Sequence, residues 1–374
     1  MTMNLKASFV SFLKQKFPGL SSENIDDHVS ENLLSPFQIP LSLNQIEIIK
    51  QEIASYRKLR KLTAETSKQD YLQLDLQIPN NESVCMSYDF HINAEGRPEL
   101  IEINTNAAFL GLGLQLYEFL NLPNIADNKF NGDALLKMFL NELKLVAAPE
   151  NSVAIIDENP SQQRLYLEFL VFREILRGGG IKSDIFDVKD VSSFENYGLI
   201  YNRYTDFYLQ SPASAPLKKL FNDKKNLSPH PWDYFLSADK RRLLDWNEQS
   251  QIAKPSSLLN TYDLGKYDRE EIWKIRKNLF IKPKTSYGSK QVYKAGNMSR
   301  RMFDEIYGDG FIAQQLSSPS EIKVELQGVA QSFKYDLRCY TYEDDLQLII
   351  ARLYQGQTTN LKTIGGGFAA IIAN

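Results

Sequence analysis

Residues 83–104 read SVCMSYDFHINAEGRPELIEIN, and the fold depends on how this stretch pairs with itself. Two segments of alternating or continuous apolar character flank NAEGR, whose Gly96 suits a tight turn, so the spacing predicts a β-hairpin. A two-residue turn at Glu95 and Gly96 sets Asp89 opposite Glu102, and Asn104, two residues on, shares the face of Glu102. Like charges placed opposite each other repel. The three oxygen donors Asp89, Glu102 and Asn104 suit a hard divalent cation such as Mg2+, which relieves the repulsion and keeps positions for phosphate oxygens and water. A solvated strand face fits the same pattern.

Outward from the hairpin the chain divides into four stretches. Residues 1–80 read as mainly helical, with Ser42 as an N-cap before Ile46, Ile49, Ile53 and Tyr56, whose spacing stripes one face of a helix ending near Leu62. Residues 81–148 carry the hairpin. Residues 149–230 open on the short buried strand VAIID, continue into a helix striped by Leu165, Phe169, Phe172 and Leu176, and return to the strands SDIFDV and YGLIYNRY, a β-α-β layer. A Pro-, Ser- and Lys-rich segment before Trp232 marks a boundary, and residues 231–374 pass from helix to strands. The fold class expected is α+β.

The last stretch supplies the basic groups. Lys282 ends an apolar strand, LFIKPK, and Lys240 begins a helix; either can hold polyphosphate as a point charge, and each also fits solvated surface. The loop TSYGSK after Lys282 has only Gly288, a weak phosphate cradle. A three-residue turn at Glu343, Asp344 and Asp345 brings Asp336 opposite Arg352 with Arg338 on the same face. Beyond it, Asn360 precedes Gly365, Gly366 and Gly367, whose N–H groups can approach an anion closely; a plain turn is the alternative.

Composition narrows the chemistry. The 374 residues allow two or three domains at roughly 100–200 residues each. A net charge of −3 is too balanced to hold nucleic acid or an anionic membrane by charge alone. Two distant cysteines, Cys85 and Cys339, suit a reducing compartment, and no window is long and apolar enough to span a membrane, so a cytoplasmic protein is expected. With only His28, His91 and His230, none near another, zinc sites and histidine triads are not expected, and the chemistry falls to carboxylates, lysines, arginines and a hard metal.

Together these pieces resemble the ATP-grasp superfamily. Its helix-starting lysine, K-P strand, hinge strand, arginine hairpin and N…GG loop have counterparts here, but its D…E-x-N hairpin, normally last, comes first as Asp89, Glu102 and Asn104. That is the circularly permuted order of eukaryotic-type glutathione synthetases, with an additional α/β substrate domain and a helical N-terminal region. LIEINTNAAFLGL is similar to their EINT-x-SASFGGL segment, DENPSQQR to their ERN-x3-QR, and YNRY to the strand carrying their substrate arginine; ARLYQGQTTN…GGGFA also resembles uncharacterised bacterial ATP-grasp proteins.

The resemblance implies ATP and Mg2+ as cofactors and a carboxylate-amine ligase that forms an amide through an acylphosphate. It puts Lys240 and Lys282 on the phosphates, Gln314, Gln315 and Leu316 at the adenine hinge, and Glu321 at the ribose. It gives Asp89, Glu102 and Asn104 to the metal, and Arg352, Asn360 and Arg338 with Gly365, Gly366 and Gly367 to the reacting groups. Asp157, Asn159, Gln163 and Arg203 then hold a small-molecule or peptide-like carboxylate; an amine is the second substrate, and a homodimer is consistent with the family. The departures fall where the family binds γ-glutamylcysteine: Ala107 and Ala108 replace serines, Ser87 an arginine, Asp157 a glutamate and Asp206 a tyrosine, while Ser286 replaces a metal-binding glutamate. A small-molecule kinase and a non-catalytic nucleotide-binding protein are the alternatives.

Overall fold

The computed structural model describes residues 5–285, 292–356, 360 and 362–374; Ser286, Gly288 and most of the TSYGSK loop lie outside the described residues. Among the described residues the chain forms fifteen strands in three sheets with helices packed on them, a mixed α+β architecture. Numbered in chain order, β1 (Ile39–Leu41), β2 (Met86–Ile92) and β3 (Pro98–Asn104) join β12 (Ser320–Leu326), β13 (Val329–Tyr342), β14 (Asp345–Tyr354) and β15 (Gly367–Ala373) in one seven-stranded sheet. Its path is β1-β15-β14-β13-β2-β3, with β12 on the first half of β13. Strands from the two ends of the sequence are therefore immediate neighbours: β2 pairs with β13 and β1 with β15.

The second sheet is all parallel, β4 (Ser152–Asp157), β5 (Lys182–Asp187), β6 (Leu199–Asn202) and β7 (Leu227–Ser228), in the order β5-β4-β6-β7. The third holds β8 (Thr261–Asp263), β9 (Leu279–Pro283), β10 (Tyr293–Lys294) and β11 (Phe311–Gln315) in the order β10-β9-β11-β8.

Side-chain alternation assigns each sheet face to a core. Leu337, Cys339, Ile349 and Ala351 pack against helix Leu43–Thr66 through Ile46, Ile49, Ile53 and Tyr56. On the opposite face Tyr340, Leu348, Ile350 and Phe368 share a core with Val153 and Ile155 of the parallel sheet, which docks the two sheets together. Ser42 caps the long helix as a capping box with Gln45, as its sequence position suggests. That helix runs to Thr66 rather than Leu62, its last turn steadied by the Thr66 hydroxyl donating to the Leu62 carbonyl. No helix among the described residues is long and apolar enough to cross a membrane.

Both hairpins depart from the expected turns yet keep the expected partners. The first closes through a three-residue loop inside Asn93–Arg97, and the offset is cancelled by a bulge at Ile101, so Asp89 still faces Glu102. The second has a two-residue turn, Glu343 and Asp344, both at positive φ, and a bulge at Gln347 restores Asp336 to Arg352.

Candidate functional site

Register builds the site. Arg338 of β13 sits opposite Asp89 of β2, and Asp336 opposite Arg352 of β14, which gathers four charges on one sheet face. The Asp89 carboxylate is fully enclosed and accepts from Arg338 Nε at 3.0 Å and Nη2 at 2.7 Å, and from Arg352 Nη2 at 2.9 Å. Ser87 Oγ at 3.0 Å and Asn104 Nδ2 at 3.2 Å complete its shell. Arg352 Nε also donates to Asp336 at 2.6 Å. Burial alone would raise the Asp89 pKa, but Arg338 and then Arg352 outweigh it and hold the carboxyl down at about 2. Two acids and two bases leave this buried lattice neutral, the condition under which buried charge is tolerated.

Glu102, across from Asp89, accepts no hydrogen bond from any described residue. Asn104 spends its amide N–H on Asp89, which leaves its carbonyl oxygen as an acceptor. Among the described residues no group of three or more His, Cys, Asp and Glu side chains gathers as a metal cluster. The donor chemistry therefore fits Mg2+ at Glu102 and Asn104, since that ion takes one or two carboxylates and leaves its other positions to phosphate and water. It does not fit Asp89, whose oxygens are saturated by arginine.

Glu102, Asn104, Lys240, Arg338, Arg352 and Asn360 line one cavity of about 430 Å3. Lys240 stands at the start of helix Arg241–Glu248. The neighbouring Asp239 is held by the Tyr208 hydroxyl at 2.5 Å and by Arg241, which fixes the backbone that presents the lysine. Asn360 uses its Oδ1 to accept from the N–H groups of Lys362 and Thr363.

Lys282 lies behind this wall. Its ammonium donates to the bulged Ile101 carbonyl at 3.0 Å and to Gln314 Oε1 at 2.8 Å, tying the third sheet to the first hairpin. Burial pushes its pKa down to about 8, with Glu102 opposing and Lys240 adding to the shift.

Several residues singled out in the sequence serve other ends. The N–H of Gln315 donates to the Asn260 carbonyl and that of Leu316 to the Asn278 carbonyl, so both hinge N–H groups are paired within the chain. Glu321 lies on exposed β12 and accepts from Ser332, away from the cavity. In the glycine run, Gly366 N–H is spent on the Thr363 carbonyl. At Gly367, with φ +103°, an added Cβ would lie 2.4 Å from the Asn32 carbonyl oxygen. Gly367 lets residues 32–35 close against β15, where Phe368 N–H donates to the Leu33 carbonyl and Ser35 Oγ to the Gly365 carbonyl; of the three glycines Gly367 alone reaches the cavity. An anion nest and a close backbone contact demand the same missing Cβ, and here the contact holds.

Asp157, Asn159, Gln163 and Arg203 cluster at the carboxyl ends of β4 and β6 but do not line the cavity. Asp157 accepts from the Glu158 N–H, and burial, opposed by Arg203, raises its pKa to about 6. The Asn159 N–H donates to Asp187, and Gln163 donates to the Glu158 carbonyl. Arg203 turns inward to Asn106 and the Ala107 carbonyl, over the Phe169 ring. The cavity instead receives Arg164, the last residue of the quoted DENPSQQR, and Thr105 of the quoted LIEINTNAAFLGL, together with Phe207 and Tyr234, which carry no motif.

No protein-family model and no curated protein sequence matches the chain. Among solved structures, it is similar to a glutathione synthetase-like effector from Globodera pallida in its apo form, with a TM-score of 0.56 and 11% identity over 90% of this chain and 89% of that one. A protein from Methylobacillus flagellatus, provisionally described as a gamma-glutamylcysteine synthetase, aligns over 89% of both chains at 12% identity, with a TM-score of 0.46. The first likeness establishes a glutathione synthetase-like fold; the second is too distant to add to it.

Proposed function

We propose that the chain is an ATP- and Mg2+-dependent carboxylate-amine ligase with an ATP-grasp arrangement in permuted order. Residues 81–148 and 231–374 would form the nucleotide clamp, and 149–230 the substrate layer. The observation that carries this reading is the meeting of Glu102 and Asn104 with Lys240, Arg338, Arg352 and Asn360 around one cavity, although the chain separates the first pair from the rest by more than a hundred residues. Glu102 and Asn104 would hold Mg2+, which when bound neutralises phosphate charge and orients the phosphoryl group.

The chain's own part is electrostatic. Lys240 and the outer edges of Arg338 and Arg352 face the cavity while Asp89 and Asp336 lock both guanidiniums in place, so positive charge is oriented before the substrate arrives. A substrate carboxylate oxygen attacks the γ-phosphorus and ADP leaves; an amine then attacks the acyl carbon, phosphate departs, and the amine proton is released.

The test is incubation with ATP, Mg2+ and a panel of small acids in the presence of hydroxylamine. The ligase reading expects acid-dependent ADP release and a hydroxamate. A stable phosphoester with no hydroxamate would make the protein a kinase. A second reading, a nucleotide-binding protein without turnover, draws on the spent N–H groups of Gln315 and Leu316 and on the filled glycine run. It predicts nucleotide binding with no ADP from any acid.

A further inference from the structure

The first half of β13, Val329–Phe333, carries only β12, so this hairpin leaves the seven-stranded sheet as a two-stranded ribbon. β12 pairs along its whole length with Val329–Tyr335 and with no other described strand. Gln327 and Gly328, both at positive φ, make a two-residue turn of the kind whose flanking residues, Leu326 and Val329, form a hydrogen-bonded pair. Alternation from that pair turns the N–H and C=O groups of Glu325, Lys323 and Glu321 away from β13. Among the described residues these main-chain groups have no partner.

Natural sheets guard such an edge with a proline, a bulge or an inward-pointing charge, and β12 contains none of these. Its guard is surface charge. Glu321, Lys323 and Glu325 alternate on the exposed face, while Ile322, Val324 and Leu326 lie partly buried on the other, against the core of helix Leu43–Thr66. The side chains of Lys323 and Glu325 form neither an ion pair nor a hydrogen bond with a described residue.

This pattern is its own complement. Antiparallel pairing of β12 with a second copy about Val324 sets Lys323 opposite Glu325 of that copy, twice by symmetry, and both pairs are of the hydrogen-bonded kind. Opposite charges facing across strands stabilise the pairing, and like charges oppose it. Ile322 falls opposite Leu326, and Val324 meets its own copy. The apolar rows then run on across the junction: Val329, 59% exposed, and Leu326 continue into Ile322 and Phe333 of the second copy. Other registers lose these matches. Centring on Lys323 sets lysine on lysine and Glu321 on Glu325, and centring on Ile322 brings Pro319, which has no N–H, to a position that should donate.

We infer that the β12 edge is a homodimer interface, its partner a second copy of this chain and its product one sheet continuous through both. The inference does not depend on the ligase reading. A single strand pair is a small interface, so the dissociation constant expected is micromolar.

Sedimentation equilibrium of the full chain across the micromolar range should show a reversible rise from 42.9 kDa toward twice that mass. Lys323→Glu and Glu325→Lys each set like charges against both partners and should weaken association by about tenfold or more, with unchanged melting temperatures at dilution. Mixed in equal amounts, the two variants face each other with opposite charges and should recover the wild-type affinity as a heterodimer; damage to the ribbon would not be rescued in this way. Val324→Cys lies on the twofold axis and should form an intermolecular disulfide under mild oxidation, whereas Ile322→Cys, opposite Leu326, should not. The native Cys85 and Cys339 are buried and stay out of that reaction. A wild type that remains monomeric, a dimer indifferent to both charge changes, a mixture that recovers nothing, or equal cross-linking at the two introduced cysteines would overturn the assignment.

Discussion

Asp89 and Glu102 are cross-strand partners whose carboxylates have opposite surroundings: Asp89 is enclosed by Ser87, Asn104, Arg338 and Arg352, while Glu102 faces the cavity with no described partner. The pair divides structure from chemistry. Asp89 organises the arginines, and Glu102 is the acid left to meet a cation.

That division predicts different losses. Asp89→Ala strands two buried guanidiniums without their shared carboxylate and should destabilise the protein by about 3–5 kcal/mol. Glu102→Ala removes a group that makes no hydrogen bond to a described residue and acts on the fold only through its charge near Lys282 and Arg352, and should cost no more than about 1 kcal/mol. Urea unfolding of the two variants measures the contrast, and equal destabilisation would contradict it.

The glycine run gives a second expectation. Gly367→Ala forces a Cβ to within 2.4 Å of the Asn32 carbonyl oxygen at a φ of +103° and should cost about 2–4 kcal/mol. Gly132→Ala, with nothing within 4 Å of its Cβ, should change stability by no more than about 0.5 kcal/mol. If Gly367→Ala left thermal unfolding untouched, residues 32–35 would not be packed on β15 as described.

How much of this was legible in the sequence follows from which signals are local. Alternation fixes the face of each strand, so the partners Asp89–Glu102 and Asp336–Arg352 were readable even though both turns were misread. A turn one residue longer or shorter than expected shifts the whole ladder, and bulges at Ile101 and Gln347 shift it back before the charged residues are reached. A bulge has no signature in such apolar runs. Where the N–H groups of the expected hinge go was not legible, because the carbonyls that accept from Gln315 and Leu316 belong to Asn260 and Asn278, residues distant in sequence. Arg164 was missed beside Gln163 because only the turn geometry after β4 decides which of the two neighbours enters the cavity.

A third expectation concerns pH. Glu142, fully buried, accepts from Asn81, the Glu82 N–H and the Tyr342 hydroxyl, and burial raises its carboxyl pKa from 4.5 to about 7. Between those values the folded state keeps a proton that the unfolded state has released. Stability should therefore fall as pH rises through this window, by up to about 3 kcal/mol, and level off above it. Glu142→Gln should flatten that slope in urea unfolding measured from pH 5 to 8. An unchanged slope would show that Glu142 ionises normally.

The central claim is that acidic and basic groups from opposite ends of the chain serve one magnesium nucleotide. Calorimetric titration of a non-hydrolysable ATP analogue, with Mg2+ and with EDTA, measures this on wild type and on Glu102→Ala. The account predicts that Mg2+ tightens binding to wild type by about tenfold or more, about 1.4 kcal/mol, and that the variant binds equally with and without the ion. Absence of nucleotide binding in wild type, or an undiminished Mg2+ effect in the variant, would contradict it.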